Sequence, residues 1–122
     1  MRIKISTPNR FFKYINPMQT FTDRVIKIAL EIPKGRVTTY GRIARAAGAG
    51  PMASQSITNI LGKAYERGIK NIPFHRIVYS NGRVWINEEY KKKRLELYKK
   101  EGIKLDKNNK IVNFEEVLLE FN

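Results

Sequence analysis

His75 is the only histidine of the chain, and there is no cysteine anywhere in it. Those two facts bound most of the available chemistry. A usual zinc site draws several ligands from Cys, His and carboxylates, so one imidazole without thiolates is not expected to hold a metal. Disulfides and cysteine nucleophiles are excluded outright. A histidine base needs a nucleophile within hydrogen-bond reach. The neighbour placed to share its pocket is Phe74, which has no nucleophilic atom. His75 alone reads as a hydrogen-bonded structural residue in an apolar run or as one member of a site. Arg36, Arg42, Arg45 and Arg67 surround two short helical patterns, and Arg76 follows the histidine. These arginines read either as a solvated face or as phosphate contacts, which position a protein on nucleic acid without reading sequence.

Charge gives the first positive direction. Lys and Arg number 24 against 11 acids, a net charge of +13 over 122 residues. The balance is uneven, since residues 106–122 carry an excess of acids and everything before them is strongly basic. Such an excess costs self-repulsion and commonly marks a polyanionic partner, although a lysine-rich surface adapted to heat, salt or an AT-rich genome has the same composition. With 42% hydrophobic and 29% charged residues the chain reads as one globular domain. No apolar run suits a membrane span or a signal peptide, so no membrane association is expected.

The elements that would position these residues follow from periodicity. Arg2–Ser6 suggests a strand, with Phe11, Phe12 and Tyr14 as anchors beyond it. Thr22 is the expected N-cap of a helix over 23–31 whose buried face is Val25, Ile28 and Ala29, widened by Ile26 and Leu30. Pro33 and Gly35 end it. Thr39 would cap a second helix over 40–47, and Gly48–Pro51 form a connector. A third helix over 53–67 would bury Ile57, Ile60, Leu61 and Ala64, expose Gln55, Asn59 and Lys63, and stop at Gly68. The pair matches a helix-turn-helix outline and equally an ordinary helical hairpin. The Asn81-Gly82 turn predicts a hairpin between Ile77–Tyr79 and Val84–Ile86. A charged helix over 88–101 has a thin stripe of Tyr90, Leu95, Leu97 and Tyr98. A cluster of Leu105, Ile111 and Val112 and an acidic segment over 115–121 complete the chain.

The order of motifs carries a resemblance. Ile32-Pro-x-Gly35, Thr39-Tyr-Gly-x-Ile-Ala44, Gly62-x-Ala64, Pro73-Phe-His-Arg-Ile-Val78 and Lys100-Glu-Gly102 together resemble the DNA-binding domain of alkylguanine–DNA alkyltransferases, over about 21–105. In that family a helix-turn-helix enters the minor groove, the damaged guanine is flipped out, and a cysteine between the Pro and the His takes the alkyl group. Here that position is Phe74, so self-alkylation by a thiol is impossible. His75 and Glu101 match the cysteine's activating partners. The chain is thus similar to the cysteine-lacking alkyltransferase-like proteins, which bind alkylated DNA and pass the lesion to nucleotide excision repair. Phe74 would contact the alkyl group, or it plugs a disused pocket.

By the same resemblance Tyr40 would press on the phosphate beside the flipped nucleotide. Arg42 and Arg45 would lie near the backbone by their charge alone. The family inserts an arginine into the vacated stack. Counting from Gly62 puts Asn59 in that slot, counting from Pro51 puts Gln55 there, and neither is arginine. The family's Gly-rich loop reads Trp85-Ile-Asn-Glu-Glu89, where Trp85 lines the pocket or closes the core, the core being the safer reading.

The expectation is therefore an α+β, mostly helical fold, a winged-helix-like helix-turn-helix with a short β-hairpin. A basic arm over 1–20, the DNA-binding domain over 21–105 and an acidic tail over 106–122 divide the chain. The expected function is non-enzymatic recognition of alkylated guanine in duplex DNA. The lesion pocket would use Tyr40, Pro73, Phe74, His75, Arg76, Trp85 and Glu101. DNA contacts would come from Arg36, Thr39, Tyr40, Arg42, Arg45, Gln55, Asn59 and Lys63. No cofactor is expected; partners would be DNA and excision-repair proteins, for a monomer in the nucleoid or a nucleus. A general DNA-binding protein without lesion reading, and an enzyme acting through His75 and Glu101 on a flipped base, are the rivals.

Overall fold

The computed structural model describes residues 19–119 and 121. The strand expected at Arg2–Ser6, its aromatic anchors and most of the basic arm lie outside them. The mostly helical α+β class is what the structure has. Its residues fall into two compact units, one containing Tyr40–Ile72 with the chain up to Glu31, the other Ile32–Thr39 with Pro73–Leu119.

The first unit is helical: α1 (Phe21–Leu30), α2 (Tyr40–Ala46), a 3-10 turn over Pro51–Ser56 and α3 (Ile57–Glu66). α1 begins two residues earlier than Thr22 predicts. Thr20 is the cap, because Thr20-x-x-Asp23 can close a reciprocal box. The Asp23 amide donates to Thr20 Oγ1 at 3.0 Å, and the Thr20 amide to Asp23 Oδ2 at 3.3 Å. Val25, Ile28 and Ala29 are buried as the spacing predicts, whereas Leu30 is exposed. The helix packs on α2 and α3, and Ile43, Ala44, Ala47, Ile57, Leu61 and Ala64 are buried as well. Arg24 ties α1 to the end of α2, its Nε donating to the Ala47 carbonyl at 2.7 Å.

The predicted third helix is split. Its first four residues, 53–56, belong to a 3-10 turn over Pro51–Ser56 that Pro51 opens at the first position. Ser56 Oγ donates to the Ala53 carbonyl at 2.8 Å, a side-chain bond that competes with α-helical pairing. Gly68 stops α3 as expected: its φ is +114°, and the next amide, Ile69, donates to the Ala64 carbonyl.

The second unit holds β1 (Thr38–Thr39), β2 (Ile77–Val78), α4 (Lys91–Lys100) and α5 (Phe114–Val117). Its sheet is a parallel pair, Thr38 opposite Ile77 and Thr39 opposite Val78. This corrects the expected hairpin. The Asn81-Gly82 turn does form, with Gly82 at φ +88° and the Tyr79 amide donating to the Arg83 carbonyl. Beyond it the chain leaves β2 and pairs elsewhere. Arg83 bridges Lys110 antiparallel, and the Val84 amide donates to the Asn109 carbonyl. That exchange lets Val84 join a core of Val37, Val78, Tyr98, Ile103, Ile111 and Val117. The Phe114 ring lies against Gly82, where a Cβ would come within 3.2 Å of it.

Residues after 105 are woven into this unit. Leu105 pairs with Ile111, and Leu118 bridges Val37 in parallel. Val112 departs from the expected apolar cluster and is exposed. α4 starts at Lys91 rather than 88, because the Asn87 side chain accepts the Tyr90 amide at 3.0 Å and holds a turn ahead of the helix. Of its expected stripe only Tyr98 is buried; Tyr90 and Leu95 are exposed.

Candidate functional site

Pro73 precedes a one-turn 3-10 segment, Phe74–Arg76, closed by the Arg76 amide donating to the Pro73 carbonyl at 2.9 Å. Proline fixes its own φ and has no amide to satisfy, which suits this abrupt entry. The turn presents Phe74, His75 and Arg76 in succession, all half-buried, while Pro73 is buried. Glu101 caps the C-terminal end of α4 and meets that turn within the second unit.

The Glu101 carboxylate is the hub. Its Oε1 accepts from Arg76 Nε at 3.0 Å and from the Gly35 amide at 3.0 Å. Its Oε2 accepts from Arg76 Nη2 at 2.9 Å and from His75 Nε2 at 2.8 Å. Arg76 therefore grips both oxygens in the two-pronged geometry that only a guanidinium offers. Its remaining Nη1 donates to the Ile32 carbonyl at 2.9 Å. Gly35, at φ +82°, turns its amide toward the carboxylate, a conformation that glycine adopts without strain.

The protonation states follow from this geometry. Burial alone would raise the Glu101 carboxyl, but the hydrogen bonds from Arg76, Gly35 and His75 hold it down at about 2. It is ionised at neutral pH and can only accept, so Nε2 of His75 must carry the ring proton. Burial lowers the His75 pKa below its ordinary 6.5, outweighing the support of Glu101; the charges of Arg76 and Arg94 push the same way. At pH 7 the ring is neutral, a donor at Nε2 and an acceptor at Nδ1. Tyr98 braces it from below: its hydroxyl donates to the His75 carbonyl at 2.7 Å, and the rings meet edge-on with centroids 5.9 Å apart.

Among the described residues no group of histidine and carboxylate side chains could hold a metal. No helix among them is long and apolar enough to cross a membrane.

A family model for the DNA-binding domain of 6-O-methylguanine DNA methyltransferase matches residues 20–103. The chain belongs to this family. It is similar to a DNA base-flipping protein of Escherichia coli, 37% identical over 65 residues, 53% of this chain and 48% of that protein. A DNA base-flipping protein of Vibrio parahaemolyticus is 31% identical over 94 residues, covering 77% of this chain and 91% of that one. The chain thus spans about half the length of the Escherichia coli relative. Among solved structures it is similar in fold to S. pombe Atl1 in complex with damaged DNA containing O6-carboxymethylguanine, with TM-score 0.64, 23% identity and coverage of 82% and 94%. A structure of S. pombe ATL in complex with DNA gives TM-score 0.61 at 28% identity and the same coverage.

The chain itself has no thiol at all. Of the residues singled out from sequence, the structure brings His75, Arg76 and Glu101 together beside Phe74. Tyr40 opens α2 in the first unit and is half-buried, as is Arg42, while Arg45 is exposed. Gln55 lies on the 3-10 turn; Asn59 and Lys63, four residues apart, share an exposed face of α3.

Three residues depart from their expected settings. Thr39 is 6% exposed, buried in β1. Arg36 donates from Nη1 to the Glu116 carbonyl at 2.6 Å, a bond that fastens α5. Trp85 is not core: it is 46% exposed, with the Arg94 guanidinium 5.7 Å above its ring. Sequence reasoning missed Gly35 and Tyr98 as members of the site. In sequence Gly35 reads as a helix stop and a motif residue, and Tyr98 as an apolar position, neither as a hydrogen-bonding member of the site.

Proposed function

We propose that this protein recognises alkylated guanine in duplex DNA and transfers nothing from it. The observation that carries the reading is the ordered His75–Arg76–Glu101 cluster with Phe74, rather than a thiol, on the same turn. With no nucleophile to deprotonate, the cluster has a positioning task. It fixes the Phe74–Arg76 turn to the end of α4 and to the Gly35 turn, so the aromatic ring is held in place rather than free to collapse. A flipped base needs an apolar or stacking surface and hydrogen bonds to its edge. Phe74 supplies the surface for the alkyl substituent, and the segment from Pro73 to Arg76 reads the purine beside it.

The helical unit supplies the grip on DNA. Tyr40 bears on the phosphate next to the flipped nucleotide, and Arg42, Arg45 and Lys63 neutralise the backbone. Gln55 or Asn59 fills the vacated stack. The relatives' names as base-flipping proteins, and the Atl1 complex with damaged DNA, support this reading. A protein of this kind would act as a monomer on nucleoid or nuclear DNA, its long-lived complex being the signal read by excision repair.

The test is binding to matched duplexes that differ by one O6-alkylated guanine, at several salt concentrations. Neutralising about five phosphates gives a log–log salt slope of about −4.5 for both duplexes. A preference of about tenfold or more for the lesion, equivalent to about 1.4 kcal/mol, is expected to shrink in Tyr40→Ala and Phe74→Ala. Equal affinities would overturn lesion reading and leave a general DNA-binding domain, the outcome favoured by the absence of an arginine at Gln55 and Asn59. Chemical change in the lesion strand that disappears in His75→Ala would instead make it an enzyme.

A further inference from the structure

α4 is unlike the other helices among the described residues. Its ten residues include Lys91, Lys92, Lys93, Arg94, Lys99 and Lys100 against a single acid, Glu96, and only Tyr98 is buried. The five lysines are exposed, and among the described residues no carboxylate or other side chain partners them. Lys91–Lys93 occupy the first turn, where the helix dipole disfavours cations and where no acid offsets them. They do not serve the helix. Lys92 and Lys99, like Lys93 and Lys100, are seven residues apart, so each pair shares a face with about 10 Å between its members.

Large aromatic rings stand at the same end. Tyr90, directly ahead of α4, is 53% exposed, and Trp85 is 46% exposed. Arg94 joins Trp85 to the helix through its guanidinium over the ring and a bond from Nη1 to the Trp85 carbonyl at 3.4 Å. Glu88 and Glu89 lie on the turn between them, outside the helix. Lysines alone would suit any polyanion. Exposed rings beside them suit one whose bases are accessible, because a duplex keeps its bases stacked inside, whereas an unpaired strand offers a π-face with every nucleotide.

We propose that α4 together with Trp85 and Tyr90 forms a second nucleic-acid surface, one for an unpaired strand. The lysine faces hold successive phosphates while bases stack on the two rings. This surface uses none of the helix-turn-helix residues, and it does not depend on lesion reading.

Trp85 is the only tryptophan of the chain, so its fluorescence reports on this surface, and undamaged duplex without a lesion serves as the comparison. The experiment is titration of the full chain with oligothymidylate, with undamaged duplex and heparin at equal charge as the other arms. Saturable quenching by oligothymidylate is expected, stronger than with either alternative, with a log–log salt slope of about −3 for about four phosphates on a single strand. The quadruple variant Lys92→Gln, Lys93→Gln, Lys99→Gln, Lys100→Gln, checked by circular dichroism, is expected to weaken it about tenfold or more while leaving duplex binding by the helix-turn-helix in place. A second variant, Tyr90→Ala, leaves the charge intact and is expected to weaken oligothymidylate binding without changing that slope. No quenching, equal quenching by duplex or heparin, or quenching unchanged in the quadruple variant would overturn the proposal. Lesion preference is read separately from duplexes differing at one guanine, so either proposal can fail without the other.

Discussion

Replacing Glu101 by Gln tests the site at its hub. The amide keeps the shape of the carboxyl but loses the charge, and it presents an NH2 group to donors from Arg76 and His75. In the wild type the carboxyl is held at about 2 against its ordinary 4.5. A folded pKa below the unfolded one stabilises the fold above pH 4.5, and that stabilisation is lost as pH falls toward 2. The difference corresponds to about 3 kcal/mol at pH 7 and about 1 kcal/mol at pH 3, with Gln standing in for the protonated acid. Urea unfolding followed by circular dichroism should therefore show Glu101→Gln less stable by about 3 kcal/mol at pH 7, in line with breaking a buried pair from one side. The gap should narrow to about 1 kcal/mol at pH 3. A second readout is the imidazole itself: Glu101 raises the His75 pKa, so the variant should titrate still lower. A loss equal at both pH values, or an unmoved histidine, would refute the assignment of Glu101 as the charged hub.

Other outcomes follow from the same geometry. Tyr98→Phe removes the bond to the His75 carbonyl and should cost about 1 kcal/mol in urea unfolding, more if the carbonyl is left unpaired. Because His75 is the only histidine, one set of ring resonances should titrate below pH 6.5. As pH falls through 6.5 the unfolded state takes up that proton first, so stability declines toward the folded value; His75→Gln should flatten the slope between pH 7 and 5. Gln55→Arg should raise lesion-duplex affinity several-fold and increase the fluorescence of a 2-aminopurine placed opposite the lesion. An unchanged signal would mean that Gln55 does not approach the vacated stack.

The sequence was most legible where period or motif order leaves little choice. The face of Val25, Ile28 and Ala29 and the glycine stop at 68 stand where the spacing puts them, whereas the run from Pro73 to Val78, which reads as extended, opens with a 3-10 turn over Phe74–Arg76. What escaped was long-range partner choice. Asn81-Gly82 specifies a turn but not what the chain pairs with afterwards, and here residues 109–111 compete successfully for the segment after it. The parallel partner of β2 comes from residues nearly forty positions earlier, which no local pattern announces. The site divides in the same way. His75 and Glu101 were visible as types in a familiar order, whereas the Gly35 amide and the Tyr98 hydroxyl act through a backbone direction and one polar atom on an apolar ring.

Restoring a thiol asks whether the cluster could still drive chemistry. In Phe74→Cys the sulfur would stand beside His75, and alkyl transfer would need the thiolate. A free thiol has an ordinary pKa of about 8.5, and a neighbouring imidazolium is what lowers it. Here burial pushes His75 down, with Arg76 and Arg94 adding to the effect, so the ring is a poor home for that proton. The segment Trp85–Glu89 also differs from the Gly-rich loop of the alkyltransferase pattern, and Trp85 faces Arg94. Phe74→Cys should therefore show a thiolate absorbance that rises near or above pH 8.5, and weak or no methyl uptake from O6-methylguanine duplex by intact-protein mass spectrometry. Stoichiometric methylation at neutral pH would refute the argument: it would mean that DNA binding reverses the penalty on His75, and that Phe74 alone separates this protein from an alkyltransferase.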